Sequence, residues 1–520
     1  MTALAQASAG LALVMGFALL CIRQVSAASI VLALQCAAVA LSAVLLHRPL
    51  MAIPPMVLIA GIWFAESRAP LLEPATAPVG GAKLGIAVGA VLTVLCLSLG
   101  SLGLPLAIVL LSVVLAATRP SSLMQVMALV GIQNGVVLTA SLVGPPDFLP
   151  TPLLPFACLL LPLPLAARLL IPRLMTPAVT RRNVFGPAWN GWIDLTLALL
   201  ILAATLIVPL EPLGTLFAPL LGLDGVLRSY GRLRRPALPP VNRGLVLLNS
   251  LFLVLAVCAP NLMAAWLAVL AALVATLLPT PRRRWNDAVL AYLGAGIALL
   301  GLLLVSAQAA SIPGYFCLFA GLASVVAVVP DLAVVTVILI LRLGNQGAWP
   351  AAASLLGVAI ALAGLSSCAL LLVRGRHRTT LLALSQACIA AVSICQGTAD
   401  GRFSGLVLLV LLILTRSAAR VPDQTVATLA IAGLAGIPPL GLFPGLILVV
   451  MAISENAAWL LLPLGAAMVP ILAASLPHRT PKAWSMRSIG WLPLGLAILA
   501  GYAAPDGVAQ WWHLLTAGRP

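Results

Sequence analysis

The chain of 520 residues is 62% hydrophobic and only 8% charged. Water-soluble domains carry about a quarter of their residues as Asp, Glu, Lys and Arg, so this composition excludes a chain built from them. The net charge of +16 comes from short basic groups between apolar runs, which is typical of cytoplasmic loops. Each group is too short to form a surface that binds along a nucleic acid. We therefore expect an all-α polytopic membrane protein that is surrounded by the lipid bilayer and binds no nucleic acid.

Apolar runs of span length follow one another along the chain. A bilayer takes about 20 apolar residues per helical span, and helices satisfy their own backbone groups where water is absent. By this criterion the sequence predicts roughly 20 transmembrane helices. The runs are 4–22, 26–46, 50–66, 83–99, 102–118, 123–143, 150–171, 192–209, 212–226, 244–259, 261–278, 287–306, 312–329, 331–347, 349–373, 379–397, 403–416, 425–451, 456–475 and 488–504. The first run has no basic segment before it and no clear cleavage site, which predicts a retained span.

The basic residues predict the orientation of these spans. When Arg181-Arg182 is placed in the cytoplasm and the spans alternate, most other basic groups also fall inside, among them Arg119 and Arg228 to Arg243. Only His47-Arg48 and Arg342 clearly break the pattern. The sequence thus predicts a multi-pass protein of the inner (cytoplasmic) membrane with both termini on the non-cytoplasmic side.

The run at 425–451 is too long for one straight span and contains two adjacent prolines, Pro438 and Pro439. Each proline lacks an amide donor, so carbonyl groups one turn earlier lose their helical partners. In a bilayer such a break is tolerated where the backbone is buried in protein or lines a wet cavity. We favour a broken helix over two helices joined by a tight turn, because the second arrangement would place the basic group 478–487 outside.

The residues around this break resemble a known family. The stretch Thr428 to Gly445, TLAIAGLAGIPPLGLFPG, is similar to the broken helix of the antiporter-like membrane subunits of respiratory complex I, of Mrp-type cation antiporters and of group 4 membrane-bound hydrogenases. Arg378 to Gln386, RTTLLALSQ, resembles an adjoining helix of that family, in which a basic residue precedes a similar run. The resemblance implies an antiporter-like region over residues 179–504.

The N-terminal part resembles a different subunit. Arg119 to Leu142, RPSSLMQVMALVGIQNGVVLTASL, is similar to the hydrogenase-4 component E type, which carries Glu-Asn-Gly where this chain has Gln133-Asn134-Gly135. The resemblance implies a component E-like region over residues 1–178, fused to the antiporter-like region. Residues 505–520, with Trp511 and Trp512, read as an interfacial amphipathic tail.

The departures from the family bear on mechanism. Its proton-moving members use Glu and Lys buried in mid-membrane, and a relay requires groups that titrate. All twelve carboxylates of this chain fall near a span end or in a loop of the predicted map. Where the family has a lysine in the broken helix, this chain reads Phe443-Pro444-Gly445-Leu446, and Gln133 cannot hold or release a proton near neutral pH.

A few polar positions remain as candidates for transport or for contacts inside the membrane. They are Gln133, Asn134, Arg342, Arg378, Ser385, Gln386, Pro438 and Pro439. For the amides and the serine, the alternative is an interhelical hydrogen bond that serves packing alone. For Arg342, which stays protonated, one reading is that it tunes the local field or holds a partner, and the other is that it snorkels to the outer interface.

The first functional hypothesis is an accessory or structural membrane-arm subunit of a complex I-like or group 4 hydrogenase-like proton-translocating assembly, itself lacking the titratable relay. Its partners would be other membrane-arm subunits, and it would be at most a non-catalytic subunit of an oxidoreductase of the NADH-quinone or hydrogenase type. The alternative is an independent secondary ion transporter or channel. The sequence shows no catalytic cluster, no metal-ligand spacing and no cofactor motif, so we expect no cofactor.

Overall fold

A computed structural model describes most of the chain. The described residues are 3–22, 24–68, 82–97, 102–119, 121–143, 155, 158–162, 191–207, 212–233, 240–277, 285–306, 311–345, 349–374, 378–420, 424–437, 440–475 and 491–503. Every regular element within them is a helix. The predicted tail at 505–520 and Pro438 with Pro439 lie outside these residues.

The chain divides into two compact units. The first is Met1–Val184 with Leu277–Val328, and the second is Phe185–Thr276 with Val329–Pro520. The helices in the first unit are α1 (Ala3–Cys21), α2 (Val25–Leu45), α3 (Ile53–Arg68), α4 (Ala82–Leu97), α5 (Gly103–Thr118), α6 (Ser122–Val143), α11 (Trp285–Ser306) and α12 (Ser311–Val328). Those of the second are α7 (Gly191–Ile207), α8 (Pro212–Leu233), α9 (Pro240–Cys258), α10 (Leu262–Leu277, its last residue at the boundary), α13 (Ala333–Asn345), α14 (Ala351–Val373), α15 (Arg378–Cys395), α16 (Ala399–Ala419), α17 (Gln424–Leu434), α18 (Phe443–Asn456), α19 (Leu461–Ser475) and α20 (Trp491–Ala503).

Seven of the described helices are long and apolar enough to cross a membrane: α1, α2, α6, α11, α14, α15 and α16. Ten further apolar segments in the described residues are shorter than 18 residues. The helical, multi-pass character predicted from the composition is therefore present. The count of roughly 20 spans is not confirmed and stays a prediction.

In the first unit, α6 is the central helix. Its apolar window is entirely buried, and it packs against α2, α5 and α11. Helix α11 also packs along α12, where glycines permit close backbone approach: a methyl group on Gly301 would lie 2.3 Å from the Leu318 backbone nitrogen. Small residues at such contacts are typical of helix pairs in membranes.

In the second unit, α15 and α16 form the centre. They pack against each other, and α16 also contacts α8, α17, α18 and α20. One apolar cluster joins Ala418 on α16 to Val426 and Ala430 on α17 and to Leu494 on α20. This core places the polar side chains of α15 and α16 beside α17 and α18.

The units do not decide the domain prediction. The first unit ends near the predicted boundary at residue 178, but it also includes α11 and α12, which lie in the predicted antiporter-like range. The units are defined by contacts, whereas the prediction concerns the origin of two fused regions. The fusion of a component E-like region with an antiporter-like region therefore stays a prediction.

Candidate functional site

The predicted break lies between α17, which ends at Leu434, and α18, which begins at Phe443. The end of α17 is closed by two backbone hydrogen bonds: Gly436 N–H donates to Gly433 O at 3.0 Å, and Ile437 N–H donates to Ala432 O at 3.1 Å. Gly436 has φ +80°, the left-handed conformation that such a helix end requires and that glycine adopts without strain.

The two helices on either side of the break have the same neighbours. Both α17 and α18 pack against α15, α16 and α20, while they contact each other only marginally. Two antiparallel helices joined by a tight turn would pack along each other. The arrangement therefore favours one interrupted helix, as the run at 425–451 predicts.

Gln386 joins α15 to the break. Its side chain is fully buried, and Nε2 donates a hydrogen bond of 2.9 Å to the carbonyl oxygen of Leu434. Within the described part of the chain, Oε1 of the same amide has no hydrogen-bond partner. Ser385, the preceding residue, donates to Leu382 O of its own helix at 2.8 Å, so its hydroxyl is satisfied locally.

Thr415 brings a second polar atom to the break from α16. A methyl group added to Gly441 would lie 2.7 Å from Thr415 Oγ1, and one added to Gly433 would lie 3.1 Å from Thr415 Cγ2. The side chain thus touches the backbone on both sides of the interruption. Oγ1 is buried and, among the described residues, without a hydrogen-bond partner.

These groups define what the break can do chemically. An amide oxygen accepts hydrogen bonds and a hydroxyl donates or accepts them, but neither titrates near neutral pH. Leaving a buried polar atom unpaired costs about 1–3 kcal/mol, a cost that a bound water with several polar partners removes. The break is therefore suited to hold water or a small polar ligand, and its described side chains cannot relay a proton by ionising.

Gln133 and Asn134 lie in the first unit, on α6. Asn134 Nδ2 lies 3.5 Å from Gln35 Oε1 and 3.3 Å from Cys36 Sγ, both on α2. Gln35 in turn donates to Ala12 O of α1 at 3.0 Å. Asn134 therefore takes part in hydrogen bonding between helices, as the packing alternative expects. Gln133 is fully buried, and neither polar atom of its amide has a partner in the described residues.

Arg342 is buried and bonded to the backbone of a neighbouring helix. It is 8% exposed, and its guanidinium donates to Ala259 O at 2.7 Å and to Val257 O at 2.6 Å, at the C-terminal end of α9. A cation is favoured there because the helix end carries partial negative charge. These contacts hold the guanidinium against the backbone at the end of α9, and a role for Arg342 in transport stays a prediction. Arg378 is the first residue of α15 and is partly exposed.

The sequence reasoning missed a buried ionic cluster at the ends of α8 and α16. Asp224 of α8 accepts hydrogen bonds from Arg228 Nε at 2.8 Å, from Arg420 Nη1 at 2.7 Å and from Ser417 Oγ at 2.9 Å. Its side chain is 7% exposed. The predicted map places Asp224 near the end of a span, but α8 continues past it to Leu233. Its charge is compensated by the two arginines.

Asp331 forms the other half of the cluster, in the 3₁₀ turn Pro330–Leu332 before α13. It pairs with Arg416, with Arg420 Nη2 at 2.7 Å and with Arg228 Nη1 at 3.6 Å. Burial lowers the pKa of Arg420, just beyond α16, to about 10, with Arg228 adding to the fall and Asp224 opposing it. At that value the guanidinium stays charged at neutral pH.

Two signals in the sequence point to this cluster. Asp224 and Arg228, like Arg416 and Arg420, are four residues apart and so share a helix face. The other carboxylates whose side chains the structure describes are exposed at helix termini: Asp287, Asp400 and Glu455. Of all the carboxylates whose side chains the structure describes, Asp224 alone is buried, and it is held in ion pairs.

No family model and no curated protein matches the chain. The class of protein follows from the fold: a multi-pass α-helical membrane protein. The described residues lining the interruption are neutral.

Proposed function

We propose that the chain is an accessory membrane-arm subunit of a complex I-like or group 4 hydrogenase-like proton-translocating assembly. In this proposal it lies in the inner (cytoplasmic) membrane with roughly 20 spans, contacts other membrane-arm subunits and carries no cofactor. It keeps the interrupted helix but does not itself move protons. The observation that carries the proposal is the neutral lining of the break by Gln386 and Thr415.

The argument rests on what a proton relay requires. Intramembrane relays use side chains that gain and lose a proton, and such groups are rare and functional within a bilayer. Among the described carboxylates of the second unit, the buried one is Asp224, which is tied to Arg228 and Arg420 and lies in the ionic cluster. Arginine stays protonated and cannot substitute for a titrating group. These features support a subunit with a structural role over one that pumps.

The test combines partner capture with a flux measurement. The tagged chain, solubilised mildly from its native membrane, should co-purify with complex I-like or hydrogenase-like subunits in near-equal amounts. The purified chain in liposomes should give no uncoupler-sensitive proton flux above that of empty liposomes. Recovery of the chain alone or as a homo-oligomer would refute the accessory role, and a robust proton flux would refute the loss of the relay.

A second candidate, an independent ion transporter or channel, is favoured by one observation at the same place. Gln386 Oε1 and Thr415 Oγ1 are buried acceptors without partners in the described residues, beside the C-terminal end of α17. Interrupted membrane helices bind ions through such helix ends and polar atoms without charged side chains. Cation flux through the purified chain that is lost in Gln386→Leu, but kept in Ser385→Ala, would favour this candidate.

A further inference from the structure

The ionic cluster of the second unit holds more positive than negative charge. Its described charged members are the guanidinium groups of Arg228, Arg416 and Arg420 and the carboxylates of Asp224 and Asp331. Three cations therefore face two anions in the described part of the chain. The side chains of Asp224, Arg228 and Arg416 are 7%, 9% and 10% exposed, so most of this charge lies away from water.

The unused bonding capacity of the cluster belongs to Arg416. Arg228 and Arg420 each pair with both carboxylates. Among the described residues, the guanidinium of Arg416 makes one bond, from Nη2 to Asp331. A guanidinium has five N–H donors in a planar fork, so those on Nε and Nη1 are left without a described partner. The excess charge and the unused donors thus lie at the same place.

The helix that carries Arg416 offsets only part of the excess charge. Arg416 lies in the last turn of α16 and Arg420 just beyond it, where the helix end carries about half a negative charge. Two guanidinium groups share that partial charge. Because a buried charge without a partner is costly, the cluster favours an anion that its described residues do not supply.

The cluster reaches the protein surface on one side. The side chains of Asp331 and Arg420 are 35% and 23% exposed, whereas that of Asp224 is enclosed. An anion from outside can therefore approach the guanidinium groups without opening the fold. Parallel N–H groups of a guanidinium match two oxygens of an oxyanion, which favours phosphate over a halide.

We propose that the ionic cluster binds one phosphate group through Arg416, with Arg228 and Arg420 adding to the attraction. The phosphate belongs either to the headgroup of an anionic phospholipid or to free inorganic phosphate, which offer the same oxygens. When bound, it balances the charge of the cluster and stabilises the contact between α8 and α16. This site is separate from the break and does not depend on the chain's being an accessory subunit.

The test compares the thermal stability of the purified full chain, stripped of lipid in mild detergent, in inorganic phosphate and in chloride at equal ionic strength. Wild type should melt about 3 °C higher in phosphate, because a ligand that binds the folded state stabilises it. Arg416→Gln, which leaves two cations facing two anions, should lose this rise. Arg374→Gln, at the exposed end of α14, should keep it. Phosphate also stabilises proteins in general, so the result is the difference between wild type and Arg416→Gln.

Two further variants keep the test decisive if Arg416→Gln folds poorly. Arg416→Lys keeps the charge but not the planar pair of donors, so it should raise the phosphate concentration needed for half the effect severalfold. Asp331→Asn increases the excess from one charge to two, so it should lower that concentration. Each variant must elute as a single species on size exclusion, so that a change in binding is not a loss of fold.

Mass spectrometry of the chain purified without stripping assigns the source of the phosphate. A stoichiometric anionic phospholipid in wild type that is absent from Arg416→Gln assigns the headgroup, and its absence from both, with the phosphate effect present, assigns free phosphate. Equal melting shifts in wild type and Arg416→Gln, including no shift in either, would overturn the proposal. A shift in Asp423→Asn but not in wild type would overturn it too. Asp423, three residues after Arg420 and outside the described residues, would then supply the missing negative charge.

Discussion

The side-chain nitrogen of Gln386 donates a 2.9 Å hydrogen bond to the carbonyl oxygen of Leu434, the last residue of α17 before the break. This bond ties the centre of the second unit to the interrupted helix. Because water is absent from the membrane interior, a helix end there needs partners from the protein. Gln386 supplies one such partner from a neighbouring helix.

The first prediction concerns this bond. Gln386→Leu should destabilise the protein by about 1 kcal/mol, because polar contacts between membrane helices are of that order and the carbonyl loses its donor. The measurement is unfolding in mixtures of mild detergent and dodecyl sulfate. Ser385→Ala is the control, since its hydroxyl bonds only within α15, and it should have little effect. Equal effects of the two substitutions would contradict a specific role for Gln386.

Much of this break could be predicted from sequence. Pro438 and Pro439 cannot continue a hydrogen-bonded helix, and Gly436 provides the left-handed residue at which α17 closes. Composition and run length likewise predict an all-helical membrane protein. These features are local, so the residues themselves carry the signal.

The contacts of the site could not be predicted in the same way. Thr415 lies in a nearly continuous apolar run. Its hydroxyl lies at the break only because α16 packs against both α17 and α18. The ionic cluster joins residues 85 to 196 positions apart in sequence. The four-residue spacing of its members indicates that they share one face of a helix, but it does not indicate which other helix packs against that face.

The second prediction tests that cluster. Asp224→Asn should destabilise the protein by about 3 kcal/mol, because removing one charge of a buried network leaves the opposite charges uncompensated. Unfolding in the same detergent mixtures measures the loss. Asp400→Asn provides the control, since Asp400 is exposed in the first turn of α16, and should leave stability unchanged. If Asp224→Asn unfolds like wild type, the ion pairs do not stabilise the second unit.

The third prediction concerns Arg342, which donates to two carbonyls at the end of α9. Arg342→Met keeps a side chain about as long as the aliphatic part of arginine but removes these donors, so we expect a loss of about 2 kcal/mol. Hydrogen exchange should rise at the end of α9, near residues 254–258, because local opening becomes easier. Arg374→Gln, beyond the last turn of α14, should change neither quantity. Faster exchange around α13 alone would contradict a capping role.

The last prediction tests the close approach of α11 and α12 with two matched glycines. Gly301→Ala places a methyl group 2.3 Å from the Leu318 nitrogen, so the helices must separate, at a cost of about 1–3 kcal/mol. Gly85→Ala, on α4, places its methyl group where nothing lies within 4 Å, and should be neutral or slightly stabilising because alanine favours the helix. Thermal loss of monodisperse protein in detergent compares the two. Destabilisation by Gly301→Ala alone assigns the effect to the α11–α12 contact. Destabilisation by both substitutions would instead mean that alanine is unfavourable at helical glycines of this protein in general.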